Sequence, residues 1–224
     1  MVTNPETHLI NTHICGLKPG VVKDSPGEEL LNSISNPFPL TRETIGYAKN
    51  MYQSTENMWF KFVAFNNDGE NHVFLMDGAK VNKHSVCMLI GLLTVTREKG
   101  EYAELREAVK QLLFFRNQHG PISTPETQEE RTRLVNTVNH LIERDVQCLP
   151  VIAAGSGSIL ADGRVCINNK SGHYKPTDQS MAIAQDIFEA NTGLSQITVK
   201  SKEDKDALKA RFGDDYESYT GICL

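Results

Sequence analysis

Runs of apolar residues separated by turn-forming residues divide much of the chain into predicted strands. Residues 59–65 are rich in aromatic and β-branched side chains, and residues 72–76 form a second such run after an Asn-Asn-Asp-Gly turn. This arrangement predicts a β-hairpin. Residues 151–160 and 164–169 flank an Asp-Gly dipeptide and predict a second hairpin by the same reasoning.

Other segments carry apolar residues at the three- and four-residue spacing of an amphipathic helix. The run at 84–95 is too uniformly apolar for periodicity to distinguish a buried helix from a strand. The segments predicted to be helical are 28–33, 46–58, two helices within 97–146, and 178–191.

These elements predict an α+β fold in which helices pack on a mixed or antiparallel sheet. Residues 1–45 contain many prolines and glycines and are interpreted as an irregular N-terminal arm. Residues 46–224 are interpreted as a single α+β domain, with a helical hairpin inserted at 97–146.

Composition narrows the class of partner. The chain has 224 residues and a net charge of −5, which argues against non-specific nucleic-acid binding because that needs a positive footprint. Neither a membrane span nor a classical signal peptide is found in the sequence. An odd number of widely spaced cysteines predicts reduced thiols, and therefore a cytoplasmic protein or one delivered into a host cytoplasm. These cysteines are at positions 15, 87, 148, 166 and 223.

The segment Asn-Asn-Lys-Ser-Gly-His-Tyr-Lys-Pro, residues 168–176, is the strongest local signal for chemistry. If strand geometry persists through it, Asn169, Ser171 and His173 share one face, because side chains alternate along a strand. An imidazole beside an amide and a hydroxyl is a candidate general base near neutral pH. The alternative is a polar hairpin exit whose His and Ser satisfy local backbone groups.

Charged groups close to this segment extend the candidate site. Asp178 follows His173 by five residues and is a candidate to orient its ring. Lys170 and Lys175 are candidates to meet phosphates, and Tyr174 is included with the nucleotide-binding residues.

Three other motifs have weaker interpretations. Residues 155–158, Gly-Ser-Gly-Ser, are interpreted as small residues at a close backbone approach, because no phosphate-loop lysine follows them. His84 and Ser85 precede the apolar run at 84–95 and are typical of a helix cap, with a nucleophile as the alternative. His140 and Glu143 lack the second histidine that a zinc site would require, so we predict no metal site.

The order of motifs resembles a known block. His84-Ser85, then Ala-Ala-Gly ending at Gly155, then the Asp-Gly turn, then Ser-Gly-His-Tyr-Lys-Pro at 171–176, is similar to a block of plant IQ-motif-containing calmodulin-binding proteins and of bacterial effector- or toxin-type proteins. About 30 residues carry the resemblance. No basic IQ motif is present, so calmodulin binding is not carried over.

A weaker similarity links the chain to effector AMPylases with a Ser…His-x-x-x-Glu pattern. It implies that Ser85 and His173 are catalytic, with Asp178 in place of the glutamate but one residue later. Ser171, Asn169 and His84 are further candidates for nucleotide binding.

The function expected from these observations is AMP transfer from ATP to a protein, by an effector-like transferase. ADP-ribosyl transfer from NAD is the first alternative. The second alternative is a non-catalytic protein-binding module, in which the Ser-Gly-His-Tyr turn is structural and the helices within 97–146 dock a partner. In either enzymatic case the expected partners are a protein substrate or an activating protein.

Overall fold

A computed structural model describes most of the chain. The described residues are 25–52, 59–120, 124–146, 151–160, 163–168, 171, 174, 178–194 and 197–200. The strands are β1 (Phe38–Pro39), β2 (Phe60–Asn67), β3 (Glu70–Asp77), β4 (Val151–Ile159), β5 (Val165–Asn168) and β6 (Ile197–Lys200). The helices are α1 (Pro26–Asn32), α2 (Ile45–Tyr52), α3 (His84–Val95), α4 (Ala103–His119), α5 (Gln128–Asp145) and α6 (Asp178–Thr192).

The strands form one mixed sheet in the order β1-β3-β2-β4-β5-β6. Neighbouring strands are antiparallel except β5 and β6, which are parallel and are connected through α6. The predicted α+β class is therefore confirmed. The β2–β3 hairpin turns at Asp68 and Gly69, whose positive φ angles of 51° and 85° are those that a tight two-residue hairpin turn requires.

Helices cover both faces of the sheet, and strand alternation supplies a separate hydrophobic core to each face. Val63, Phe65 and Phe74 point to the face that carries α1, α3, α4 and α5. Phe60, Phe62 and Leu75 point to the opposite face, where they pack with residues of α2 and α6. The sheet thus lies between two groups of helices, and its two faces have different neighbours.

The run that periodicity left undecided is the helix α3. Nine of its twelve residues are buried, because it lies between the sheet and the α1–α4–α5 layer. A helix that is buried on nearly all sides has no polar face, so its sequence lacks the 3.6-residue signal.

The N-terminal part of the described chain is integrated into the fold. Residues 25–45, which we assigned to an irregular arm, contain α1 and β1. Leu30 and Leu40 are completely or almost completely buried, each in a different core. The α1 helix is also held by polar contacts to α5, where Arg131 makes two hydrogen bonds to the carboxylate of Glu28.

Helices α4 and α5 pack against each other and against α1. Their apolar residues, Leu112 and Val138 among them, belong to the same core cluster as α3. The structure shows the helical pair at the predicted place, while its origin as an insertion stays a prediction.

Two cysteines fall in the described residues and differ in state. Cys87 on α3 is a free buried thiol, and burial raises its pKa far above the usual range. Cys166 on β5 is disulfide-bonded, so the expectation of uniformly reduced thiols is wrong.

Candidate functional site

His84, the first residue of α3, links two distant parts of the chain. Its Nε2 lies 2.8 Å from the carbonyl oxygen of Gly155 on β4, and its Nδ1 lies 3.4 Å from the hydroxyl of Ser171. The backbone N–H of Tyr174 donates to that same hydroxyl at 3.1 Å. His84 thus joins the start of α3, the middle of β4 and the Ser-Gly-His-Tyr segment.

The contact with Gly155 identifies the tautomer of the neutral ring. A carbonyl oxygen can only accept a hydrogen bond, so we assign the ring proton to Nε2. Nδ1 is then an acceptor, and the Ser171 hydroxyl is directed towards it. In chemical terms this is a serine hydroxyl beside an imidazole nitrogen that can accept its proton, with the imidazole oriented by the backbone.

Ser85 does not cap α3, contrary to the prediction. The helix begins at His84 after Lys83, and no side chain makes a capping hydrogen bond there. The hydroxyl of Ser85 instead donates to a carboxylate oxygen of Glu29, which is itself buried on α1. Sequence reasoning missed Glu29, because 56 residues separate the two partners.

A buried polar strip lies on the same side of the sheet as α3. The side chains of Ser156 and Ser158 on β4 point to this side, because their neighbours along the strand point to the opposite core. Across the strand pair, Ser156 lies opposite Asn168 of β5 and Ser158 lies opposite Cys166. The Asn168 amide oxygen accepts from the backbone N–H of Ser156 at 3.3 Å. The hydroxyl of Ser158 is buried and has no hydrogen-bond partner among the described residues. The interpretation of Gly-Ser-Gly-Ser as small residues at a close backbone approach does not predict this buried polar strip.

The glycines of that sequence have the structural role that was predicted. A Cβ atom on Gly155 would lie 1.7 Å from the carbonyl oxygen of Asn168. A Cβ on Gly157 would lie 2.5 Å from both the Cys166 carbonyl oxygen and the ring of Phe60. Only glycine therefore allows β5 and the aromatic rings of β2 to approach β4 this closely.

Lys61 of β2 is a buried cation on this side of the sheet. Its ammonium group donates to the carbonyl oxygens of Ala79, at 2.8 Å, and of Asn82, and it lies 5.6 Å from the centre of the Trp59 ring. Burial lowers its pKa to about 8, and the positive charge of Lys83 acts in the same direction. A lysine within a hydrophobic strand gives no sequence signal of this role.

Asn82 fixes the loop that leads into α3. Its side chain is fully buried and accepts hydrogen bonds from the Ser33 hydroxyl and the Ile34 N–H, both at 3.0 Å. It also donates to the Ser35 hydroxyl and to the backbone carbonyl of Asp77. Lys61 and Asn82 together hold the loop at a fixed position relative to α1 and the sheet, which sets where His84 begins.

The structure brings together the side chains of two of the predicted site residues and places others elsewhere. His84 and Ser171 are in contact, whereas the hydroxyl of Ser85 is bonded to Glu29. The Tyr174 side chain is 1% exposed and packs in the core beneath α3, so it is not at a ligand-facing position. Asp178 is the first residue of α6. His173, Asn169, Lys170 and Lys175 lie outside the described residues.

Within the part of the chain that the structure describes, no group of three His, Cys, Asp or Glu side chains is placed to hold a metal ion. None of the helices in the described ranges combines the length and apolarity needed to cross a bilayer. Comparisons with protein families, curated proteins and solved structures find no match for this chain.

Proposed function

We propose that the protein transfers a nucleotide-derived group to another protein, with AMP transfer from ATP as the preferred reaction. The observation that supports this proposal is the contact between His84 and Ser171, at 3.4 Å and 87 positions apart in the sequence. It brings the first and last motifs of the proposed block to one place, beside the polar strip of Ser156 and Ser158.

In this reaction a hydroxyl oxygen of the acceptor protein attacks the α-phosphorus of ATP. The bond between that phosphorus and the bridging oxygen breaks, and pyrophosphate leaves. His173 is the proposed base that takes the hydroxyl proton, with Asp178 as its proposed orienting carboxylate. His84 holds Ser171, two residues before His173 in the sequence, and we propose that this support contributes the fixed geometry on which phosphoryl chemistry depends.

ADP-ribosyl transfer from NAD uses the same groups with a different bond. The acceptor attacks the anomeric carbon of the nicotinamide ribose, the glycosidic bond to nicotinamide breaks, and nicotinamide leaves. Lys170 and Lys175 would then meet the diphosphate, as they would meet the phosphates of ATP.

The test is a mass-spectrometric search for protein adducts, with ATP or NAD supplied to the purified protein in cell lysate. We expect an AMP adduct on a lysate protein with wild type and its loss with His173→Ala. His140→Ala is the matched control, because His140 is an exposed histidine on α5. No adduct with either donor, or an adduct that survives His173→Ala, would contradict the proposal. An ADP-ribose adduct in place of an AMP adduct would support ADP-ribosyl transfer from NAD.

A non-catalytic binding module is the second candidate, and one observation favours it. The Phe114 side chain is 63% exposed and lines a surface groove between α4 and α5 together with Leu134 and several charged residues. An exposed aromatic residue in a groove is typical of protein-binding surfaces. If the protein is such a module, no adduct forms with wild type or with His173→Ala, and the substitution only lowers the melting temperature.

A further inference from the structure

Two exposed apolar side chains lie on neighbouring loops next to the start of α3. Ile34 is 68% exposed and Val81 is 46% exposed. Asn82 joins the two loops. It directly follows Val81 in the sequence, and its side-chain amide oxygen accepts a hydrogen bond from the backbone N–H of Ile34. Exposed aliphatic side chains that share a rigid support are candidates for contact with a partner.

Positive charge surrounds these two side chains. Lys80 and Lys83 are exposed on the same loop as Val81, Lys61 lies beneath that loop, and Arg116 of α4 donates to the carbonyl oxygen of Ser33 at 2.7 Å. None of the four cations forms an ion pair with a carboxylate of the described residues. This local excess of positive charge stands against a net charge of −5 for the whole chain.

The nearest carboxylates are engaged elsewhere. Glu29 accepts from Ser85, and Glu28 is paired with Arg131. Asp77 accepts from the backbone N–H of Ala79 at 2.7 Å, and its negative charge opposes the lowering of the Lys61 pKa. Within the described ranges, neither Lys80 nor Lys83 forms an ion pair with a carboxylate, and we take both lysines as the groups that would meet an external anion.

The surface is held in one shape before any partner arrives. Asn82 is fully buried and its side chain bonds to both loops, while Lys61 binds two carbonyl oxygens of residues 79–82. A preorganised surface gives up little conformational entropy on binding.

We propose that Ile34, Lys80, Val81 and Lys83 form a docking surface for an acidic protein segment that also carries an apolar side chain. An acidic segment matches the lysines, and its apolar side chain covers Ile34 and Val81. A free phosphate would bind the lysines and leave Ile34 and Val81 uncovered. Binding to an anionic membrane usually requires a cluster of more than two basic residues. Lys83 directly precedes His84, so the bound segment belongs to the acceptor protein. That last step rests on the proposed function, whereas the docking surface itself does not.

The experiment is a selection of random dodecapeptides displayed on phage against the purified wild-type chain, followed by binding measurements on the selected peptides by fluorescence anisotropy. We expect enrichment of peptides that combine Asp or Glu with a large apolar residue. Their affinity should fall at least about tenfold in Lys80→Glu/Lys83→Glu and in Ile34→Ser/Val81→Ser, and it should weaken from 50 to 200 mM salt on the order of severalfold.

A charge reversal of the same size elsewhere is the control. Arg97→Glu/Lys99→Glu reverses two exposed cations that follow the C-terminal end of α3, at the opposite end of this helix from Lys83, and should leave binding unchanged. Circular dichroism of each variant excludes loss of fold. No enrichment of acidic peptides, equal binding by the Lys80/Lys83 variant, or binding to phosphatidylserine vesicles in place of peptides would overturn the proposal. Because this assay contains no nucleotide, its failure is distinguishable from failure of the transferase proposal.

Discussion

Replacing Lys61 by methionine is expected to change how stability depends on pH between about 7.5 and 9. The folded-state pKa of Lys61 is about 8, below its ordinary value of 10.5, chiefly because the side chain is buried. Between these two values the unfolded chain binds more protons than the folded chain at this position. The free energy of unfolding contributed by Lys61 therefore rises as the pH rises through 8 towards 10.5. Below pH 8 the buried charge is a cost that the folded state bears in full.

The size of the effect follows from linkage. A full one-proton difference changes the free energy of unfolding by about 1.4 kcal/mol per pH unit. Lys61 is 9% exposed, so it is not completely shielded from water, and we discount the effect for solvent screening. The expected gain from pH 7.5 to 9 is then about 0.5–1 kcal/mol.

The assay is urea denaturation of wild type, Lys61→Met and Lys61→Arg at several pH values. Ionisation of unfolded cysteines and tyrosines lowers the stability of all three proteins at the alkaline end, so the difference between wild type and each variant is the informative quantity. Neither methionine nor arginine titrates in this range, and both differences should therefore rise with the same slope.

The absolute offsets of the variants are expected to differ. Lys61→Met removes the ammonium donor from the buried carbonyl oxygen of Asn82, at about 1–3 kcal/mol, whereas the carbonyl oxygen of Ala79 keeps its hydrogen bond from the N–H of Asn82. A flat difference between pH 7.5 and 9 for both variants would refute the claim that Lys61 titrates near 8.

Two further predictions concern packing. The buried thiol of Cys87, whose pKa burial raises, should react with iodoacetamide at pH 8 at least about a hundredfold more slowly in native than in urea-unfolded protein. Peptide mapping would measure this, and equal rates would contradict the burial. Gly157→Ala should lower the free energy of unfolding by about 2–3 kcal/mol, because the added methyl group meets the Phe60 ring and a backbone oxygen. The control Gly46→Ala adds a methyl group within α2 where nothing lies within 4 Å and should not destabilise; equal losses in the two variants would refute the packing argument.

Local chemistry explains which parts of the fold could be predicted from the sequence. The β2–β3 hairpin was predicted correctly because Asp68 and Gly69 encode the turn themselves. The α6 helix, which ends at Thr192, was predicted to within one residue of its C-terminus because its apolar spacing is regular. The α3 helix could not be distinguished from a strand, because burial on nearly all sides removed the polar face that periodicity detects.

The candidate site was less predictable because its contacts are long-range. Ser85 and Glu29 are 56 positions apart, and nothing in the local sequence of either indicates the other. Lys61 lies in a hydrophobic strand, and the carbonyl oxygens that hold it come from a loop about 20 positions away. The prediction that Tyr174 contributes to nucleotide binding does not fit its side chain, which is buried in the core.

Burial limits what His84 can contribute to either function. His84, Ser85 and Ser171 are each at most 7% exposed, so a nucleotide could not reach all three without displacing parts of the fold. In both candidate functions His84 and Ser171 therefore act as supports that join Ser171 and the backbone of Tyr174 to α3 and β4. A variant of His84 would break that support whether or not the protein is an enzyme, and loss of activity would not separate the alternatives. The chemical role must be tested at His173, where the transferase proposal places the base and the binding proposal places none.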